Sequence, residues 1–213
     1  MPPARRTYGR QVFINCPFDA AYQAMFDAIV FSVFRCGYLP RCSKEVLDSG
    51  DIRLDKIVRL VGDCRLAIHD ISRTEPNKEG LPRFNMPLEL GLFLGAKRFG
   101  DKGQQQKRCL ILDREPYRYQ QFISDLSGLD VEAHGADPER AVTVIRNWLS
   151  FKGSVLLSGT ILWREYQEFQ EHLPEICDKF HLLPAELTFK DTVTAIEYWL
   201  SATEESVRQG SLK

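Results

Sequence analysis

The sequence predicts an α/β fold: a doubly wound, parallel, five-stranded sheet with helices on both faces and a C-terminal helical appendage. Three observations predict it. Short apolar runs alternate with helix-length segments as far as residue 151, the pattern of parallel strands joined by right-handed crossovers. Beyond Gly153 no strand-like run remains, and two helix-length segments follow. The length of 213 residues, with 44% hydrophobic and 27% charged residues, suits one domain with an elaborated end that buries its own core.

Each element has a local reason. Gln11 to Cys16 (QVFINC) is a short strand stopped by Pro17. Asp19 is placed to cap a helix from Ala20 to Cys36, apolar on nearly every face and therefore expected to be buried. Gly37 ends it, and Tyr38 to Ser43 forms a weaker strand interrupted by Pro40. A loop through Asp48, Ser49 and Gly50 leads to a helix from Ile52 to Val61, whose apolar residues 54, 57, 58 and 61 recur at helical spacing. Arg65 to Ser72 (RLAIHDIS) is the third strand, and a polar loop with Pro76, Gly80 and Pro82 follows. The next helix runs from Asn85 to about Phe99, with Asn85 as expected cap and Pro87 in the first turn. Lys107 to Asp113 is the fourth strand, Tyr117 to Leu126 a helical stretch, and Asp130 to His134 a short fifth strand. Asp137-Pro138-Glu139 opens a helix reaching Phe151. The segments 156–180 and 187–200 read as two helices around Pro184. The organisation expected is a disordered N-terminus (1–10), an α/β domain (11–153) and a helical appendage (154–213).

Several classes of function find no support. The formal net charge of −1 supplies no global field toward nucleic acid or anionic lipid. The longest apolar stretch, Ala20 to Phe34, is broken by Gln23, Asp27 and Ser32, so no membrane span is expected and the chain reads as soluble and cytoplasmic. None of the six cysteines forms a CxxC pair or stands at finger spacing from a histidine, so reduced, buried thiols are expected and no metal site. Neither GxGxxG nor GxxxxGK[ST] occurs, leaving no anchor for a bound dinucleotide cofactor or a P-loop. The basic residues 97, 98, 102, 107 and 108 read as a solvated turn.

In a doubly wound sheet, ligands bind beyond the carboxyl ends of the strands where strand order reverses. For the flavodoxin-like order 2-1-3-4-5 that crevice lies between strands one and three. The chain segments reaching it carry Asn15, Cys16, Phe18 and Asp19 from the first strand's end, and Asp70, Ser72 and Arg73 from the third. Ser43 begins a loop that can fold over it, and Arg83 and Asn85 lead into the helix that points at it.

Glu89 is the most informative residue. It is the one charged side chain between Arg83 and Lys97, one turn into an apolar helix, with Leu92, Phe93 and Ala96 on its face. A buried carboxylate costs several kcal/mol unless something pairs with it. An acid that merely favoured the helix N-terminus would serve equally well exposed, so the apolar surround points to chemistry. Gly91 and Gly95 would permit close approach of a ligand or another backbone. Asp70, at a strand's end, either contacts ligand or caps a turn. Two carboxylates facing one crevice suit glycosidic chemistry. His69 alternates to the opposite face of its strand and reads as a packing residue. Cys16, close to a helix N-terminus, could have a lowered thiol pKa, but no histidine partner is evident.

The stretches VFINCPFD, GDIRLDKIVRLVGDC and AIHDIS, and above all NMPLELGLFLGAKRFG, resemble the superfamily that joins nucleoside 2-deoxyribosyltransferases with TIR (Toll/interleukin-1 receptor) domains. The resemblance covers the run from Gln11 to His134. It implies a flavodoxin-like sheet and N-glycosidic bond cleavage by a helix-borne glutamate, which falls on Glu89. It further implies that Asp70 contacts base or sugar and that residues 43–50 form a mobile loop over the site. Where the transferases carry a further acid shortly before the glutamate, this chain has Arg83 and Phe84, which favours hydrolysis, with NAD among the possible substrates and no cofactor. By the same resemblance the ligand is a nucleoside, nucleotide or NAD, and a role in antiviral defence is implied. Residues 154–213 lie outside that resemblance but are rich in large apolar side chains, among them Leu162, Trp163, Tyr166, Phe169 and Trp199, and are expected to build a homo-oligomer or dock a partner protein. The alternative is a non-catalytic TIR-like module that binds a nucleotide or transmits assembly.

Overall fold

A computed structural model describes residues 8–45, 48–76, 80, 82–152 and 155–210, the side chains of 152 and 206–210 excepted. Five strands, β1 (Gln11–Asn15), β2 (Leu39–Arg41), β3 (Leu66–Asp70), β4 (Arg108–Asp113) and β5 (Val131–Ala133), form one sheet in the order β2-β1-β3-β4-β5. Every pair is parallel, with β1 central enough to bond both β2 and β3. The expected flavodoxin-like α/β fold is the one the chain adopts.

Helices α1 (Gln23–Arg35) and α4 (Pro138–Leu149) cover one face, while α2 (Arg53–Asp63) and α3 (Asn85–Phe99) cover the other. The alternation of side chains along each strand divides the core accordingly. Val12, Ile14, Leu66 and Ile68 join α1, whereas Phe13 and Ala67 join α2 and α3. The chain reverses after α1 because Gly37 adopts φ +83°, which lets the Tyr38 N–H reach the Val33 carbonyl and close the helix end.

Two long helices, α5 (Gly159–Phe180) and α6 (Phe189–Gly210), complete the chain. They pack on α1 and α4, which explains why α1 is apolar all round: the sheet takes one side and the appendage the other. Phe31 of α1 is fully buried, with ring centroids 5.5, 5.4 and 5.9 Å from Tyr166, Phe169 and Trp199. Arg35 pairs with Glu165 at 2.6 Å, and Arg146 donates to the carbonyls of Leu156 and Leu157. The large apolar residues that suggested docking by 154–213 are thus mostly spent within the chain itself.

Local departures from expectation have identifiable causes. Tyr8–Arg10, expected to be disordered with the rest of 1–10, form a 3-10 turn held by Tyr8 Oη on the Gly103 carbonyl and the Arg10 guanidinium on that of Gly37; residues 1–7 lie outside the described residues. The stretch 117–126 holds two 3-10 turns, not a helix, because Tyr117 is left-handed (φ 61°) and Ile123 leaves the helical region (φ −141°, ψ 67°). The Phe84 backbone, not Asn85, stands at the N-cap of α3, and no side chain bonds there. Asp137 caps α4 as expected, accepting the Glu139 N–H. Lys107, expected in a solvated turn, is buried and donates to the carbonyls of Val61 and Cys64 at the end of α2. Burial lowers its pKa to about 8. All six cysteines are free. Among the described residues no helix is long and apolar enough to cross a membrane.

Candidate active site

The carboxyl ends of β1 and β3 carry two carboxylates in different settings. Asp70 lies on the α1 side of the sheet with no exposed surface. Tyr22 donates its hydroxyl to Oδ2, and the Ser72 N–H donates to Oδ1 at 2.8 Å. His134, just beyond β5, places Nε2 3.1 Å from Oδ2. Its Nδ1 accepts the Ala136 N–H. Burial alone would raise the Asp70 carboxyl, but His134, Ser72 and Tyr22 together hold it below its ordinary range. Asp70 thus ties together the ends of β3 and β5 and the turn before α1, and it has no exposed surface, whereas Glu89 keeps 7%.

Glu89 belongs to the buried face of α3, with Met86, Leu90 and Phe93, and is 7% exposed. Burial pushes its pKa up to about 7, against the pull of Arg53, whose guanidinium lies 3.6 Å away. Arg53 is its one ion-pair partner among the described residues. The other face of α3 is open: Leu88 and Phe99 are exposed, and a Cβ at Gly91 or Gly95 would meet nothing within 4 Å. Among the described residues nothing makes the close approach expected at those glycines.

Arg53 connects Glu89 to a cleft of about 440 Å³ lined by Phe18, Ser43, Lys44, Asp48, Ser49, Arg53 and Lys56. Phe18 stands edge-on to Phe26 at 5.3 Å, and Lys44 Nζ sits 4.7 Å from the Phe18 ring centroid. Residues 46 and 47, within the segment expected to be a mobile loop, lie outside the described residues. Two expected binding residues, Phe18 and Ser43, thus meet the cleft that Glu89 reaches through Arg53.

The remaining expected residues are used differently. Asp19 occupies the backbone position that starts the turn before α1, but its side chain binds Arg73 and, at 3.5 Å, Arg83. Two guanidinium groups outcompete a capping bond, and despite some burial they hold the Asp19 carboxyl low. This cluster joins the loops after β1 and β3 beside Phe18. Asn15 is buried, donating from Nδ2 toward His69 Nδ1 at 2.9 Å and to the Met86 carbonyl at 3.0 Å, so it pins α3 to the sheet. His69 is enclosed between Phe13 and Phe93, and burial drops its pKa to about 3, a neutral packing residue as expected. Cys16 is 2% exposed; burial and Asp70 push its thiol pKa well up, opposite to the lowering expected from a nearby helix N-terminus. Ser72 is buried and Asn85 exposed in the first turn of α3. Among the described residues no group of histidine, cysteine and acid side chains could hold a metal ion.

No protein-family model matches the sequence, and no curated protein matches it. The site stands on its own chemistry. Sequence reasoning missed Arg53, Lys44, Tyr22 and His134. Arg53 opens a helix three residues after Gly50, so a cation at a helix start was the available signal; for His134 it was the place at the carboxyl end of the fifth strand.

Proposed function

We propose that the chain is an N-glycosidase that cleaves the base–ribose bond of a nucleoside, nucleotide or NAD, with Glu89 as the working group. The observation that carries this reading is a single one: a carboxyl on a buried helix face, with a pKa raised to about 7 by burial, joined to an open cleft through Arg53. A group that titrates near neutrality can act in both its forms. As carboxylate it stabilises the positive charge that develops at the anomeric carbon when the base departs; as acid it hands a proton to a departing base. Phe18, at the cleft wall, offers an aromatic face or edge to a base.

Asp70 has a supporting part in this reading. Held by Tyr22, Ser72 and His134, it sets the geometry of the strand ends from which Phe18 and the Asp19–Arg73–Arg83 cluster extend. The decisive experiment incubates the purified protein with NAD and with a panel of nucleosides and nucleotides, and detects free base by chromatography. Base release by the native protein and none by folded Glu89→Gln is the expected result. Equal release by the two would overturn the assignment of Glu89, and no release from any compound would overturn the enzyme reading.

A further inference from the structure

We propose that the cleft beside Glu89 is an anion site that takes the phosphate of a nucleotide, so that the protein acts on nucleotides in preference to free nucleosides; this rests on reading Glu89 as the group at the glycosidic bond. The charge of the lining is lopsided. Lys44, Arg53 and Lys56 supply three cations against one carboxylate, Asp48. Asp48 accepts the Gly50 N–H through Oδ1 at 2.8 Å, and its acidic neighbour Asp51 is paired with Arg59. Lys56 donates to the Asp48 carbonyl and Arg53 faces Glu89, and the cations of the lining still outnumber its one carboxylate.

The hydrogen-bonding inventory points the same way. Ser43 and Ser49 contribute hydroxyls to the lining, and α2 begins at Arg53, so the positive end of an eleven-residue helix adjoins the cleft. Arg53 touches Glu89 at 3.6 Å, a long contact, with a side chain 62% exposed. A guanidinium in that position can keep one edge near Glu89 and offer paired donors to a phosphate, the bidentate geometry that arginine provides and lysine does not. Only one sugar ring separates the anomeric carbon of a nucleotide from its 5′-oxygen, and only one arginine side chain separates Glu89 from the cleft. A nucleotide with its anomeric carbon at Glu89 therefore carries its phosphate into the basic lining.

Arg53 also makes phosphate binding consequential for Glu89. The guanidinium favours the charged carboxylate, and a phosphate that draws it away shifts Glu89 toward its protonated form. Phosphate in the cleft and a proton on Glu89 are then linked, so that substrate arrival prepares the acid that assists the departing base.

The test uses calorimetry on the full chain. Inorganic pyrophosphate is titrated into the native protein and into the variants Lys44→Ala and Lys56→Ala at low salt. Separately, four common nucleosides and their 5′-monophosphates are titrated into Glu89→Gln, which retains the cleft without turnover. The expected results are saturable pyrophosphate binding weakened at least tenfold in one or both lysine variants, and at least one monophosphate bound tenfold or more tighter than its nucleoside. No pyrophosphate binding to the native protein, unchanged binding in both folded lysine variants, or equal affinity for every nucleoside and its monophosphate would each overturn the proposal. A phosphate preference in a protein that releases no base from any nucleotide keeps the anion site and discards the glycosidase. Base release with equal kcat/KM on nucleoside and monophosphate does the reverse.

Discussion

Arg53 and Glu89 meet across two helices, with a guanidinium nitrogen of α2 3.6 Å from a carboxylate oxygen of α3. Arg53 is mostly exposed while Glu89 is buried, so the pair is asymmetric: the cation keeps much of its hydration and the anion loses its own. Desolvation wins, and the Glu89 pKa rises from 4.5 to about 7.

That balance makes a stability prediction with a definite sign. Between pH 4.5 and about 7 the folded protein holds a proton on Glu89 that the unfolded chain has released, so stability falls as pH rises through this window. Glu89→Gln removes the titration. The variant should gain on the native protein between pH 5 and pH 8, by about 2–3 kcal/mol at the upper end. Urea denaturation at a series of pH values measures the difference, and a difference independent of pH contradicts the raised pKa.

Removing the opposing charge should shift Glu89 further. In Arg53→Gln the one group that lowers its pKa is gone, so the carboxyl should titrate higher than in the native protein. Carbon-detected NMR of labelled glutamate side chains follows it directly. An unchanged or lower midpoint would show that Arg53 does not act on Glu89.

Asp70→Asn should destabilise the fold by on the order of 3 kcal/mol, because the buried carboxylate accepts from Tyr22 and Ser72 and lies 3.1 Å from His134 Nε2. Its folded pKa lies below the unfolded one, so the native protein should lose this contribution as pH falls below about 4. Thermal melts of both proteins at pH 7 and pH 3 give the test; a variant as stable as the native protein at pH 7 would remove the network from the account.

Phe31→Ala should cost about 3–5 kcal/mol, since a fully buried ring would leave a cavity facing Tyr166, Phe169 and Trp199. For the same reason a chain ending at Phe151 should lose cooperative folding, because α1 would turn its second apolar face to water. A truncated chain that melts cooperatively near the native temperature would mean that α5 and α6 are dispensable to the core.

How much was legible beforehand follows from which interactions are local. The helical spacing of residues 54, 57, 58 and 61 located α2, and Asp137-Pro138-Glu139 located the start of α4, because periodicity and capping act within a few residues. Glu89 stood out for a similarly local reason, one charge in an apolar helical run. Lys107 was misread because its partners, the carbonyls of Val61 and Cys64, lie more than forty residues earlier in the chain.

The sequence by itself determined the order of elements, the parallel sheet and the buried acid on α3, since each is written in short-range patterning. Only the tertiary structure decided what each charged group faces. It gave Asp70 to Tyr22, Ser72 and His134, Asp19 to Arg73 and Arg83, and Glu89 to Arg53 and a basic cleft. It also turned α5 and α6 onto α1. The pKa of a carboxylate depends on desolvation and on charges a few ångströms away, and those distances are set by packing between segments that the chain alone keeps far apart.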